Sequence, residues 1–186
     1  MTTFEILAAL ITLTSIYLAT RQNVWYYPTG IVSVVMYAWV YFQAKLYAEA
    51  GLQGVWLVLL VYGWWAWLYG GKDHTELPVT RTPRWGWLVV IVSGTAMTAI
   101  IVAIQRNFTD NPAPFVDSSI AAWSIVAQWM TARKWLENWL FWIAVNAVAV
   151  PLYITRALWP TAALYAILFI LGIEGWREWR RSLASA

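Results

Sequence analysis

Asn138, Trp142 and Asn146 follow one another at intervals of four in the run ENWLFWIAVN, so on a helix they share one face, which Tyr153 continues. The same kind of stripe occurs twice more. Glu49, Gln53 and Trp56, with Leu60, Gly63 or Trp64, and Trp67 further on, line one side of an earlier apolar run. Asp117, Ser124 and Gln128, with Trp123 beside them, line a side of another. Each stripe holds an interior amide within about a turn of a tryptophan. An amide offers donors and an acceptor without the cost of a buried charge, and an indole face stacks on a flat ring and attracts a cation. Such a set recognises a polar, planar organic molecule and is poorly equipped to make or break bonds. A lone amide serves equally as glue between membrane helices, worth about 0.6–2 kcal/mol. Three amides on separate runs, each with an aromatic partner, favour a shared ligand. The expected binding residues are therefore Glu49, Gln53, Trp56, Trp64, Trp123, Ser124, Gln128, Asn138, Trp142 and Asn146.

The groups that catalysis would need are missing from these runs. The only histidine, His74, sits in the polar stretch GGKDHTELPVTRTPR and reads as a solvated loop residue, and there is no cysteine for a disulfide, a thiolate metal site or a nucleophile. No acidic pair lies at mid-run and no serine has a base beside it, so the sequence predicts no enzyme, no metal and no cofactor. Glu49, Asp117, Glu137 and Glu174 all read as lying near the ends of runs. Ion coupling normally leaves an ionisable group near mid-bilayer. Facilitated diffusion is the expected mechanism.

The elements that position these stripes are membrane helices. Of 186 residues, 61% are hydrophobic and 11% charged, far from the balance of a soluble domain. The start of the chain lacks the basic region and cleavage site of a signal peptide, so its first apolar run is expected to stay in the bilayer. At about 20 residues per crossing, seven spans are expected, over 3–20, 24–43, 48–69, 85–105, 115–132, 136–155 and 158–178. The longer connections, 70–84 and 106–114, carry the Pro, Gly and charge that break helices. Arg21, Lys72, Arg81, Arg84, Arg133, Lys134, Arg177, Arg180 and Arg181 fall on one side, against Lys45, Arg106 and Arg156 on the other. That bias puts the N-terminus outside and the C-terminus in the cytoplasm. The net charge of +3 is explained by orientation and needs no nucleic acid. Trp25, Trp85, Trp87, Trp159 and Trp179 are expected as interfacial anchors. The chain suits a homotrimer as well as a monomer, since either would present tryptophan-rich faces to lipid.

Sliding the sequence along itself, without gaps, until Arg21 meets Arg133 also aligns Tyr41 with Tyr153, Leu46 with Leu158, Gly63 with Gly175, Trp64 with Trp176 and Trp67 with Trp179. Two three-helix units separated by a fourth helix, a parallel 3+1+3 repeat, would produce that register. The expected division is 1–70 for the first bundle, 71–114 for the linker and connecting helix, and 115–186 for the second bundle with its basic tail.

The segments YPTGIVSVVMYAWVYFQAKLYAEAGLQGVWLVLLVYGWWAW, PFVDSSIAAWSIVAQWMTARKWLENWLFWIAVN and GWREW resemble, in that order, the Pnu family of bacterial vitamin transporters. The resemblance covers nearly the whole chain and is weak only across the fourth span and its flanking loops. It implies an all-α integral membrane protein of the inner membrane, with a full-length SWEET-like 3+1+3 arrangement and substrate between the triplets. It also implies uniport of an unphosphorylated vitamin that a cytosolic kinase then traps. The family motifs fall on Gln53 (LQ), on Asn138 and Trp142 (ENW..W), and on Asn146. Among the family's cargoes, nicotinamide riboside suits amides and indole faces. Thiamine would add a call on a carboxylate, from Glu49 or Glu137, and riboflavin would need a longer stacking slot.

Overall fold

The computed structural model describes residues 3–184. Among them are seven α-helices: α1 (Thr3–Thr20), α2 (Tyr26–Gln43), α3 (Tyr47–Tyr69), α4 (Arg84–Phe108), α5 (Pro114–Ala132), α6 (Asn138–Thr155) and α7 (Trp159–Ala184), with a short 3₁₀ turn at Lys72–His74. Their ends follow from local chemistry. α4 starts after Pro83, whose fixed φ sets the entry, and α5 has Pro114 at its first position and Asp117 in its first turn, both favoured there. α7 runs on to Ala184 rather than stopping near 178, which leaves Glu174 well inside the helix. Pro151 lies within α6, yet the helix continues to Thr155. The spans Glu49–Tyr69, Arg84–Phe108, Asn138–Thr155 and Trp159–Ala184 are long and apolar enough to cross a bilayer, and Phe4–Thr20 is a shorter apolar helix.

Four helix ends share one device. Gln22, Lys45, Lys134 and Ala157 have φ of 56°, 60°, 50° and 56°. Each left-handed residue lets the next N–H reach back to a carbonyl of the preceding turn: Asn23 to Leu18 at 3.0 Å, Leu46 to Tyr41 at 2.8 Å, Trp135 to Met130 at 3.1 Å and Leu158 to Tyr153 at 2.9 Å. This is the Schellman closure that glycine usually makes. Here non-glycine residues make it, at a cost of about 1–2 kcal/mol each. The offset that lays Arg21 on Arg133 also lays Gln22 on Lys134 and Lys45 on Ala157. The corner after α1 thus matches the corner after α5, and the corner after α2 matches the corner after α6.

The chain forms two compact units. One comprises the residues up to Val79, Ala132–Lys134 and the chain from Arg177 onward; the other comprises Thr80–Thr131 and Trp135–Trp176. In the first, α2 packs between α1 and α3. Tyr27 is fully buried against Gly63, where an added Cβ would come 2.5 Å from the tyrosine ring. Trp67 meets Tyr27 edge-on at 5.0 Å and Trp179 at 5.7 Å. Trp179, expected as an interfacial anchor, is instead 0% exposed, its indole N–H donated to the Ala19 carbonyl at 3.0 Å. A buried indole needs such a partner. Trp25 and Trp159 are exposed, as expected of anchors.

In the second unit α4 turns Gly86, Val90, Gly94 and Thr98 inward at every fourth residue. Trp135 lies against Gly86 and Trp123 against Gly94, where a Cβ would sit 2.8 Å and 2.5 Å from the rings. Gly175 is covered in the same way by Trp139, at 2.5 Å. The repeat offset carries Tyr27 onto Trp139 and Gly63 onto Gly175, so both units hold the same ring-on-glycine contact.

These contacts predict that Gly63→Ala and Gly175→Ala each destabilise by about 1–3 kcal/mol through overpacking. Gly54→Ala, with nothing within 4 Å of the new carbon, should leave stability unchanged or slightly raised. Thermal unfolding of the three variants in detergent checks the ranking.

Candidate substrate-binding site

The polar stripes of α5 and α6 meet at the corner between the two helices. Asn138 is 0% exposed, donates its Nδ2 to the Trp135 carbonyl at 2.6 Å and accepts from Thr131 Oγ1 at 3.0 Å. The Thr131 hydroxyl also reaches the Ala127 carbonyl at 2.9 Å and accepts the Trp142 indole N–H at 3.2 Å. That bond fixes the indole nitrogen of Trp142, a residue that is half-buried. Thr131 is not among the sequence-predicted binding residues. It lies on the same helical face as Ser124 and Gln128, and that spacing was the available signal.

Further from the corner, Ser124, Gln128 and Asn146 are all buried, Asn146 at 2% exposure. No hydrogen bond joins the Ser124 or Asn146 side chain to another described residue. An amide so placed at mid-helix is available to a ligand. Trp123 has a different setting: it stacks on Phe141 with centroids 5.5 Å apart, packs against Gly94, and lines an apolar pocket of about 270 Å³ with Ile120, Phe141, Val145 and Val148. On α3, in the other unit, Glu49 is exposed, Gln53 and Trp56 are half-buried and Trp64 is 37% exposed.

Two polar clamps hold the ends of this unit. At the α6 start Glu137 is buried, and its Oε2 accepts both the N–H and the hydroxyl of Thr82 at 2.8 Å, with Arg81 3.8 Å from Oε1. The Leu136 N–H donates to the Thr80 carbonyl at 2.8 Å, so the segment before α4 is strapped to the α5–α6 corner. At the other end Arg156 donates to Asn111 Oδ1 at 3.0 Å and pairs with Asp117 at 3.7 Å, while Asn111 Nδ2 donates to Asp117 at 2.7 Å and Gln105 at 2.9 Å. In the first unit, Lys134 places its ammonium 4.5 Å above the Trp67 ring. Burial pushes Lys134 below its ordinary pKa, with Glu76 acting in the opposite sense. His74 is exposed, and no cluster of metal-ligating side chains occurs among the described residues.

Long apolar helices that bury amides and hydroxyls along their length and carry ion pairs near their ends have the character of a multi-pass membrane protein. The sequence matches the nicotinamide mononucleotide transporter family over residues 2–181, and the chain belongs to that family. It is 25% identical to the nicotinamide riboside transporter PnuC of Escherichia coli, over 89% of this chain and 80% of that one. It is 28% identical to the riboflavin/roseoflavin transporter RibM of Streptomyces davaonensis, over 86% and 76%. A crystal structure of the vitamin B3 transporter PnuC superimposes with a TM-score of 0.76 at 22% identity, covering 98% of this chain and 82% of that one, which establishes the shared fold.

The clamp at Glu137 predicts that Glu137→Ala, which strands a buried N–H and a hydroxyl, costs about 1–3 kcal/mol. Thr82→Val keeps the backbone bond and should cost less. Melting temperatures in detergent rank the two; wild-type melting of Glu137→Ala would show that the clamp adds nothing.

Proposed function

We propose that this protein carries nicotinamide riboside into the cell by facilitated diffusion, the cargo being trapped by cytosolic phosphorylation. The observation that carries the reading is Asn146, a buried amide at mid-helix that makes no hydrogen bond to another described residue, one turn from the half-buried Trp142. An amide can pair with a carboxamide or a ribose hydroxyl, and an indole face favours a cationic pyridinium. Ser124 and Gln128 on α5 belong to the same proposed set, and Glu49, Gln53, Trp56 and Trp64 on α3 are proposed as further binding residues. The names of two relatives point to the same cargo.

The matched corners and glycine–aromatic pairs, all related by one offset, support the 3+1+3 parallel repeat, with all seven helices crossing the bilayer, the first bundle at 1–70 and the second at 115–186. The basic residues support an outside N-terminus and a cytoplasmic C-terminus. Riboflavin is the second reading, supported by the similarity to RibM. Thiamine is weakened, because Glu137, one of two carboxylates available to its pyrimidine, is already held by Thr82.

Calorimetric titration of the detergent-purified protein with nicotinamide riboside, thiamine and riboflavin tests the cargo. Saturable heat is expected with nicotinamide riboside, weakened tenfold or more in Asn146→Ala and Gln53→Ala with melting unchanged. Heat with riboflavin alone would overturn the cargo while keeping the family. In proteoliposomes with the membrane potential clamped at zero, uptake should reach equal concentrations on both sides and should not respond to an imposed proton or sodium gradient. Accumulation driven by either gradient would refute uniport.

A further inference from the structure

Thr131 stands at the centre of a hydrogen-bonded chain that reaches a proposed ligand-stacking side chain. Its oxygen receives the Trp142 indole N–H at 3.2 Å, and its proton is directed at the Ala127 carbonyl and at Asn138 Oδ1. Asn138 is itself held by the Trp135 carbonyl. The indole is thereby fixed at its nitrogen edge, in a residue that is half-buried.

The fold does not require this network. The corner after α1 has the same left-handed residue and the same back-bonding as the corner after α5, and at the positions matching Thr131, Asn138 and Trp142 it carries Ala19, Tyr26 and Gly30. Gly30 there is packed against Ser15 and Leu60, and the Ala19 carbonyl receives Trp179. One backbone corner thus closes with two unrelated side-chain sets. The set after α5 is polar and ends on the indole of Trp142, so these side chains serve something other than closure of the corner.

We propose that Thr131 is a positioning residue for substrate: its hydroxyl sets the orientation of Trp142, and thereby the stacking of the cargo's planar ring. This rests on the reading of Trp142 as part of the binding site. The hydroxyl, not the side-chain volume, is the active feature, because only an oxygen can accept the indole proton.

The test uses Thr131→Val, Thr131→Ser and Trp142→Phe in the full-length protein. Nicotinamide riboside titration should show Thr131→Val weakened about tenfold and Thr131→Ser near wild type. On a Trp142→Phe background, which removes the indole, Thr131→Val should weaken binding no further, since the two act as one unit. The indole resonance of Trp142, assigned by its loss in Trp142→Phe on ¹⁵N-tryptophan labelling, should move in Thr131→Val and stay in place in Thr131→Ser. Wild-type affinity in Thr131→Val, equal losses in the valine and serine variants, or full additivity with Trp142→Phe would overturn the proposal. If the wild type binds none of the three vitamins, the cargo reading fails, whereas an unmoved indole resonance in Thr131→Val defeats the positioning role by itself.

Discussion

Hydrocarbon offers no hydrogen bonds, and that constraint orders the rest of this molecule. Inside a span, a polar group facing lipid goes unsatisfied, so it must be held by the protein or face the interior of the bundle, where a ligand or the water of a transport path can meet it. Glu137 and Arg156 accordingly stand at helix ends, where Glu137 is clamped by Thr82 and Arg156 by Asn111 and Asp117. Within the helices the buried polar groups are amides and hydroxyls, whose desolvation is far cheaper than that of a charge.

Packing inside the bilayer has no hydrophobic drive between helices and depends on close contact. The large aromatic content is accommodated by placing rings on glycines: Tyr27 on Gly63, Trp139 on Gly175, Trp123 on Gly94 and Trp135 on Gly86. Each ring covers backbone that a side chain would otherwise shield. The cost of left-handed backbone at Gln22, Lys45, Lys134 and Ala157 is offset by closing the helix ends they follow, which gives a partner to a carbonyl at each end.

The polar residues of the second unit divide by what already engages them. Asn138 is hydrogen-bonded to Trp135 and Thr131; Asn146, two turns along the same face, has no such partner among the described residues. Trp142 and Trp123 also differ in their partners: the first is anchored at its nitrogen by Thr131, the second packs on Phe141 and Gly94 and lines the apolar pocket.

Helix number, order and approximate ends were legible in the sequence, because a bilayer demands apolar runs of a fixed length and Pro, Gly and charge interrupt them. The family was legible too, since its motifs lie at helix faces whose spacing is set by the helical turn. Sequence periodicity names a face but does not tell which atoms on it are already bonded. Trp179 has the composition of an interfacial anchor yet is fully buried, Glu174 lies within a helix that runs further than its apolar stretch, and Thr131 looks like an ordinary end-of-helix hydroxyl. Their roles depend on partners distant in the chain: Ala19 for Trp179, and Asn138 with Trp142 for Thr131. Hydrophobicity, an average property of a run, was fixed by the residues themselves; hydrogen-bond occupancy, a property of pairs at ångström distances, was decided only when the chain folded.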